Sequence, residues 1–235
     1  MKKHKGTLYG IGVGPGDPDL ISIKALKVLN KVSVVFAPFS TKNSYSIAKR
    51  IIKHHTKKDI QIHKLEFPMT KDPEKLQNFW LQNSYTILDF LNQGKDVAFV
   101  TLGDPLTYST FGYILLTLQK IDPEVEIEVI PGISSYQASA AFVKVPLAKG
   151  EESFCVISGT ANIEKIKSLI KNSDSCVILK PYKNYKKIVE TLKELNLLDK
   201  AYLVLECGLE NERVIQKLEE VDSIPYLSLI IISKK

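Results

Sequence analysis

Arginine is nearly missing from this chain: of 32 basic residues only Arg50 and Arg213 are arginine. Proteins that read nucleic acid lean on the bidentate guanidinium, and here no lysine cluster is interleaved with aromatics, so no nucleic-acid partner is expected. Cysteine is scarce as well. Cys155, Cys176 and Cys207 stand far apart, form no CxxC pair and lie in or beside apolar runs. Buried, reduced thiols are the expectation. His4, His54, His55 and His63 show no metal-ligand spacing with one another or with the cysteines, so no structural or catalytic metal site is expected from them. No apolar run reaches the roughly 18 residues that span a bilayer, and no membrane partner is expected. The opening MKKHKGTLYGIGVG is basic and then apolar, like a leader. Its glycines and Asp17 interrupt that run, and no small-residue cleavage site follows. It reads as a first strand, and a cytoplasmic location is expected.

What is present describes a globular α/β chain. With 235 residues, 44% of them hydrophobic, one large or two modest domains can each bury a core. The net charge of +6 comes from lysines spread along helix-like segments, a solvated surface that also favours a polyanionic small substrate.

Strand-like runs at 7–14, 32–38, 60–65 and 97–102 alternate with helix-like periodicity at 21–30, 44–54, 72–92 and 109–121, the pattern of a mainly parallel sheet. Ile60–Leu65 is the expected edge strand. Asp17 or Asp19 is the expected cap of the first helix. Trp80, at helical spacing, is expected in the core rather than on a ligand. The turn Asp122-Pro123-Glu124 marks the expected boundary, giving domains 1–121 and 122–235. Beyond it come a strand at 126–130, a small-residue helix QASAAF and apolar strands at 154–159, 175–182, 201–207 and 226–233. Helices at 162–171 and 184–196 and a hairpin near 208–221 complete a mixed second sheet.

Gly10, Gly12, Gly14 and Gly16 invite a dinucleotide-binding label, which fails. The third glycine position holds Asp17, whose carboxylate repels a pyrophosphate, and no GK[ST] follows. The chain is organised instead around Val97–Thr110, VAFVTLGDPLTYST. A buried strand enters a Gly103-Asp104-Pro105 turn and then a hydroxyl-rich segment that opens a helix. The carboxyl edge of parallel strands is where such sheets place ligands. Gly103 permits close approach and Pro105 stops the strand. Asp104 either meets a ligand there or only caps the helix. Pro131-Gly132-Ile133-Ser134-Ser135-Tyr136 repeats the logic of strand, glycine turn, paired hydroxyls and helix, and serves equally for ligand contact or for tight packing.

Together VGPGDPDLISIKAL, LGDPLTYST, PGISSYQASAA and the closing ECGLENERVIQKLEEV…IPYLSLIIISK resemble the tetrapyrrole methylase family nearly end to end. The resemblance implies a two-domain α/β fold, with a mainly parallel N-terminal sheet, a mixed C-terminal sheet and the cofactor cleft between. It implies S-adenosylmethionine as methyl donor, a tetrapyrrole substrate and a homodimer. The opening GTLYGIGVGPGDPDLISIKAL, LGDPLTYSTF and PYLSLIII point within the family to methylation at the carbon-20 meso position of precorrin-2 or its cobalt complex, in cobalamin synthesis.

By position in these motifs, Pro15 matches a cofactor-contacting proline. Leu102, Gly103, Asp104 and Thr107 match the loop around the methionine part of the cofactor. Ser134 and Ser135 match a second contact. Pro181-Tyr182 matches the place of a residue against the adenosine, though LKPYKN stands where the subfamily often has MKVGRN. Cys207-Gly208-Leu209, which also departs from the commoner residues, falls where a backbone contact to adenine is expected.

A sulfonium methyl is already activated, so alignment and exclusion of water suffice and no nucleophilic triad is needed. Asp104 is the candidate base for the proton that the methylated carbon sheds; the other reading has it only holding the cofactor. Lys24, Lys42, Lys49, Arg50 and Lys149 are candidate contacts for the substrate's carboxylates. Other expectations compatible with the residues are a different tetrapyrrole carbon methylase, a relative acting on diphthamide precursors or RNA ribose, and a non-catalytic cofactor-binding module on the same fold.

Overall fold

The apolar runs of the first 130 residues become five parallel strands in the computed structural model, which describes residues 4–39, 42–56, 60–68 and 70–234. The order along the chain is β1 (Leu8–Gly12), α1 (Ile23–Leu29), β2 (Val34–Phe39), α2 (Lys42–His55), β3 (Gln61–Glu66), α3 (Pro73–Asn92), β4 (Val97–Thr101), α4 (Phe111–Ile121) and β5 (Ile127–Ile130). The sheet order is β3-β2-β4-β1-β5, every pair parallel, with β3 at the edge as expected. From β1 the chain crosses toward β2 and β3; from β4 it crosses the other way to β5. The strand order therefore reverses between the adjacent strands β1 and β4. In open α/β sheets that reversal opens the ligand crevice at the carboxyl ends of the strands.

Local chemistry sets the helix boundaries. Asp72 accepts hydrogen bonds from the amides of Glu74 (3.1 Å) and Lys75 (3.3 Å), Pro73 supplies a preset φ, and Gly94 at φ +77° ends the segment. At α1 the expectation is corrected. Ser22 caps the helix, its Oγ accepting from the Ala25 amide at 3.2 Å, while Asp17 caps a separate 3-10 turn, Pro18–Leu20, through the Asp19 amide at 2.9 Å. Both faces of β4 are covered, so Val97–Thr101 is buried throughout rather than alternating. On one face Leu8, Val97, Phe99 and Phe111 pack with Ile87, Leu91, Ile114 and Leu118. Trp80 lies at the margin of this core, stacked flat on Tyr113 with ring centroids 4.3 Å apart.

The domain boundary differs from the one expected at Asp122. The β5 strand pairs with β1 from Leu8↔Ile127 to Ile11↔Ile130. Asp122 is ion-paired to Lys5 at 2.6 Å, and the Leu8 amide donates to the Glu126 carbonyl. The first compact unit accordingly runs through Ser134 and the second from Ser135. The turn at Asp122 has the composition of a linker, yet its charge and the strand after it belong to the first sheet.

The second unit comprises α5 (Ser135–Val143), β6 (Phe154–Ser158), α6 (Ile163–Asn172), β7 (Ser175–Leu179), α7 (Tyr185–Glu194), β8 (Ala201–Leu205), β9 (Arg213–Ile215) and β10 (Ser228–Ser233). Its sheet order is β6-β7-β10-β8-β9, parallel only between β6 and β7. Ile230 and Ile232 of the central β10 pack with Ile166, Ile170, Ile188 and Leu192 from α6 and α7, whereas Leu229 and Ile231 face Ala140 of α5. Coverage on both faces is why SLIIIS reads as a continuous apolar run. The hairpin expected near 208–221 lies earlier: β9 pairs back on β8 through a turn at 206–212, and Leu218–Glu220 is a 3-10 turn. The strand expected at 175–182 stops at Leu179, because Lys180 is left-handed (φ 54°) and Pro181 cannot donate to the ladder.

At Gly10 in β1 a Cβ would overlap the ring of fully buried Phe111. Gly10→Ala is therefore expected to destabilise the chain by about 1–3 kcal/mol, the cost of overpacking. Adding Phe111→Leu in that background should recover part of the loss. Urea unfolding midpoints of the single and double variants check this.

Candidate active site

Three loops leave the carboxyl ends of the adjacent strands β4, β1 and β5, and their backbones touch. A Cβ at Gly12 would overlap the Gly103 carbonyl oxygen and come within 2.7 Å of the Gly132 nitrogen. One at Gly132 would overlap the same oxygen and lie 2.7 Å from the Gly12 carbonyl carbon. The Gly103 carbonyl is thus seated between two glycines. Beyond Gly12 the ladder continues: the Val13 amide donates to the Thr101 carbonyl at 2.9 Å and the Gly103 amide to the Gly14 carbonyl at 2.7 Å. Gly14 (φ +85°) and Gly103 (φ +68°) both occupy the left-handed region, which a side chain would strain.

Asp104 ties these loops together. Its Oδ1 accepts from the Leu106 amide at 2.9 Å and from the Thr107 hydroxyl at 3.2 Å, and its Oδ2 accepts from the Gly132 amide at 3.2 Å. The first two bonds close the turn; the third crosses to the loop after β5. Asp104 is not the cap of α4, which begins at Phe111, where Ser109 Oγ accepts from the Phe111 amide at 3.2 Å. Tyr108, at φ 50°, reverses the chain between turn and helix.

Of the expected contact residues, the first unit joins Asp104 and Thr107 by a direct hydrogen bond, with Leu102 and Gly103 preceding Asp104 in the chain. Pro15 is buried in the loop that Gly14 joins to Gly103, and Ser134 is buried immediately before α5. Ser135 is the first residue of α5 and half-buried. Tyr182 belongs to the second unit, in the turn Pro181–Lys183, with its ring edge-on to Tyr226 at 5.3 Å and Lys183 Nζ over it at 5.7 Å. Pro181 is buried against Gly159, where a Cβ would lie 2.6 Å from the Pro181 Cα. At 207–209 the Gly208 amide donates to Glu212 Oε1 at 3.1 Å, so that loop is held by its own carboxylate.

The basic candidates divide. Lys24 is ion-paired to Glu128 at 2.5 Å, and Arg50 Nη2 donates to the Gly16 carbonyl at 3.4 Å, supporting the first loop from outside. The Lys149 side chain is exposed. The Lys42 side chain lies outside the described residues. The histidines, expected to show no ligand arrangement, are partly gathered by the fold: ligand atoms of Asp19, His54 and His55 lie within 4.8 Å of one another. His55 Nε2 stands 2.8 Å from the Pro18 carbonyl, an interaction that fastens α2 to the turn after β1.

Three features of this edge are absent from the expected set. Gly12 and Gly132 make the close contact described above. Their signal was present, since a glycine follows or ends each of the three strands. Thr101, the last residue of β4, buries its Oγ1 with no hydrogen-bond partner among the described residues. Leu106 and Tyr108, 58% and 50% exposed, and Ile23, 73% exposed, put large apolar side chains on or near loops otherwise rich in polar residues.

Comparison with known proteins agrees with this architecture. The protein named "Cobalt-precorrin-2 C(20)-methyltransferase" from Salmonella typhimurium is 32% identical over 233 residues, covering 98% of this chain and 97% of its own. The protein named "Probable cobalt-precorrin-2 C(20)-methyltransferase" from Methanocaldococcus jannaschii is 39% identical over 240 residues, covering 100% and 99%. The crystal structure of uroporphyrin-III C-methyltransferase from Thermus thermophilus complexed with S-adenosyl homocysteine has the same fold, with a TM-score of 0.70 at 21% identity, over 97% of this chain and 98% of that one. Residues 7–222 match the description "Tetrapyrrole (Corrin/Porphyrin) Methylases", and the chain belongs to that family.

Proposed function

We propose that the chain transfers a methyl group from S-adenosylmethionine to the carbon-20 meso position of cobalt-precorrin-2, in cobalamin biosynthesis. The observation that carries this reading is the edge built from Gly12, Gly103 and Gly132 and clamped by Asp104, in a chain alignable end to end with two proteins of that name. The residues fit such a cofactor. Backbone without side chains offers close approach at the switch point, and Thr101 Oγ1 is a buried hydroxyl with no partner among the described residues. Pro15, Leu102, Gly103, Asp104, Thr107 and Ser134 are proposed to hold the cofactor, with Ser135 and Tyr182 of the second unit as further contacts. A homodimer in the cytoplasm, acting without nucleic acid or membrane, is part of the same proposal.

When bound, the cofactor supplies a methyl group already activated on a sulfonium. What the chain adds is position and dryness. The interlocked glycines fix the relative height of the loops after β1, β4 and β5. Exposed Leu106 and Tyr108 provide apolar surface suited to the face of a macrocycle, while lysines around the first unit favour its acidic side chains. Asp104 is a positioning residue in this reading. Both of its oxygens accept hydrogen bonds from the loops they organise, an arrangement that serves holding better than proton abstraction.

Asp104→Asn is accordingly expected to raise the dissociation constant for S-adenosylhomocysteine about 10-fold, roughly the worth of one hydrogen bond to a charged group. Single-turnover methyl transfer at saturating cofactor should stay within about threefold of wild type. Calorimetry and rapid-quench kinetics separate the two quantities. A loss of about a hundredfold or more in the chemical step, with unchanged cofactor affinity, would instead assign Asp104 as the base.

The substrate is tested by anaerobic incubation with S-adenosylmethionine and either precorrin-2 or its cobalt complex, followed by mass spectrometry. One added methyl on the cobalt complex, located at carbon 20, is the expected product. Methylation confined to the metal-free ring would reassign the substrate. Tight cofactor binding without methylation of either would indicate a different ring position or a binding module.

A further inference from the structure

Two side chains far from the glycine-lined edge in sequence meet in the second sheet. Cys155 is the second residue of β6 and Cys176 the second residue of β7, and the parallel register pairs them directly. Their Sγ atoms stand 3.0 Å apart, and both are free thiols. The expectation of buried, reduced thiols holds for Cys176, whereas Cys155 is only partly buried, on the edge strand of its sheet. Neighbouring strands run about 4.8 Å apart, within the Cα–Cα span of about 4.4–6.8 Å that a disulfide bridges.

The electrostatics divide the labour between the two. They share one hydrogen bond and lose their protons as a pair. The hydrogen bond with Cys176 lowers the Cys155 thiol to about 6 against the opposing effect of burial, with Ser173 and the Lys234 charge also lowering it. The same hydrogen bond, and burial, push Cys176 upward. Cys207 provides an internal contrast, pushed up to about 12 by burial first of all. The thiolate is the attacking species in exchange chemistry, so the less buried Cys155, whose proton is the more readily lost, is placed to attack and buried Cys176 beside it to resolve.

We propose that Cys155 and Cys176 form a thiol–disulfide exchange site for low-molecular-weight disulfides, in which Cys155 attacks and Cys176 resolves. The Cys155 thiolate attacks one sulfur of the small disulfide, whose S–S bond breaks and whose other half leaves as a thiolate that takes a proton from water. Cys176 then gives up its proton to water and attacks Cys155 Sγ, expelling the second half as a thiolate, which is protonated in turn. The two protein thiols are oxidised to one disulfide, and the small disulfide is reduced to two thiols. The product joins edge strand β6 to β7.

The test uses the full chain and oxidised glutathione, with acid quench, alkylation under denaturing conditions and peptide mass spectrometry. Wild type is expected to end with Cys155 linked to Cys176, no retained glutathione and Cys207 alkylated, and dithiothreitol should restore three alkylatable thiols. Cys176→Ser should stop at a stable glutathione adduct on Cys155. In Cys155→Ser, glutathionylation of Cys176 should be at least about 10-fold slower than that of Cys155 in Cys176→Ser, as burial of a thiol requires. The proposal is overturned if wild type keeps three alkylatable thiols, ends as a stable adduct on Cys155, or reacts at Cys207 as fast as at Cys155. The wild-type result stands whether or not a variant folds.

Discussion

The constraint on which the first unit depends is the seating of one carbonyl oxygen, that of Gly103, between the backbones of Gly12 and Gly132. Strand ends in a parallel sheet ordinarily stand a strand spacing apart, and side chains keep their loops separate. Here side chains are absent at three neighbouring ends, so the loops collapse into one surface. Collapse alone would leave the Gly132 amide without a partner. Asp104 supplies one, and with its other oxygen it closes its own turn on Leu106 and Thr107. Tyr108 in the left-handed region and a helix that waits until Phe111 follow from a turn this tight.

The second unit solves a related problem by different means. Its strands also end abruptly, but the reversals use left-handed Lys180 and Glu206 with Gly208 in place of mutual glycine contact. Non-glycine residues at positive φ are strained, and such strain persists where surrounding contacts over-determine it. After β7 the restraint is visible: the Gly159 amide donates to the Leu179 carbonyl at 2.6 Å, Asn184 Nδ2 donates to the Gly159 carbonyl at 2.7 Å, and Pro181 packs on Gly159. Those contacts place Tyr182 beside Tyr226. The strand-end loops of each unit are thus fastened by specific contacts and differ in which residue type absorbs the backbone cost.

The elements were legible in the sequence wherever period and burial agree. Val97–Thr101 and Ser228–Ser233 are apolar without alternation because both faces are covered, and such runs flanked by turn residues read as buried strands. Reading failed where a residue's role depends on a distant partner. Asp122 in a Pro-containing turn looks like a linker, and only Lys5 and the β1 ladder, more than a hundred residues earlier, assign it to the first sheet. Asp17 looks like the cap of the following helix until Ser22 is seen to be nearer. Cys155 and Cys176 look unrelated because register, the property that pairs them, is not a local quantity. The glycine-lined edge was half visible: the GDP and PGISS turns announced themselves, but the contact between them did not.

The contacts around Asp104 bear on what the proposed site must supply. A reaction that has to generate its own electrophile needs side chains poised to change protonation, and those tolerate few competing hydrogen bonds. For the proposed methyl transfer the electrophile arrives with the cofactor, so the demand falls on holding two reactants in line and away from water. Backbone held at fixed height by glycines meets that demand with little conformational freedom to lose. In that proposal a carboxylate that fastens the backbone contributes through the geometry it maintains rather than through a proton it accepts. The same logic explains why a site can be built where the sequence offers no triad, little histidine and almost no arginine.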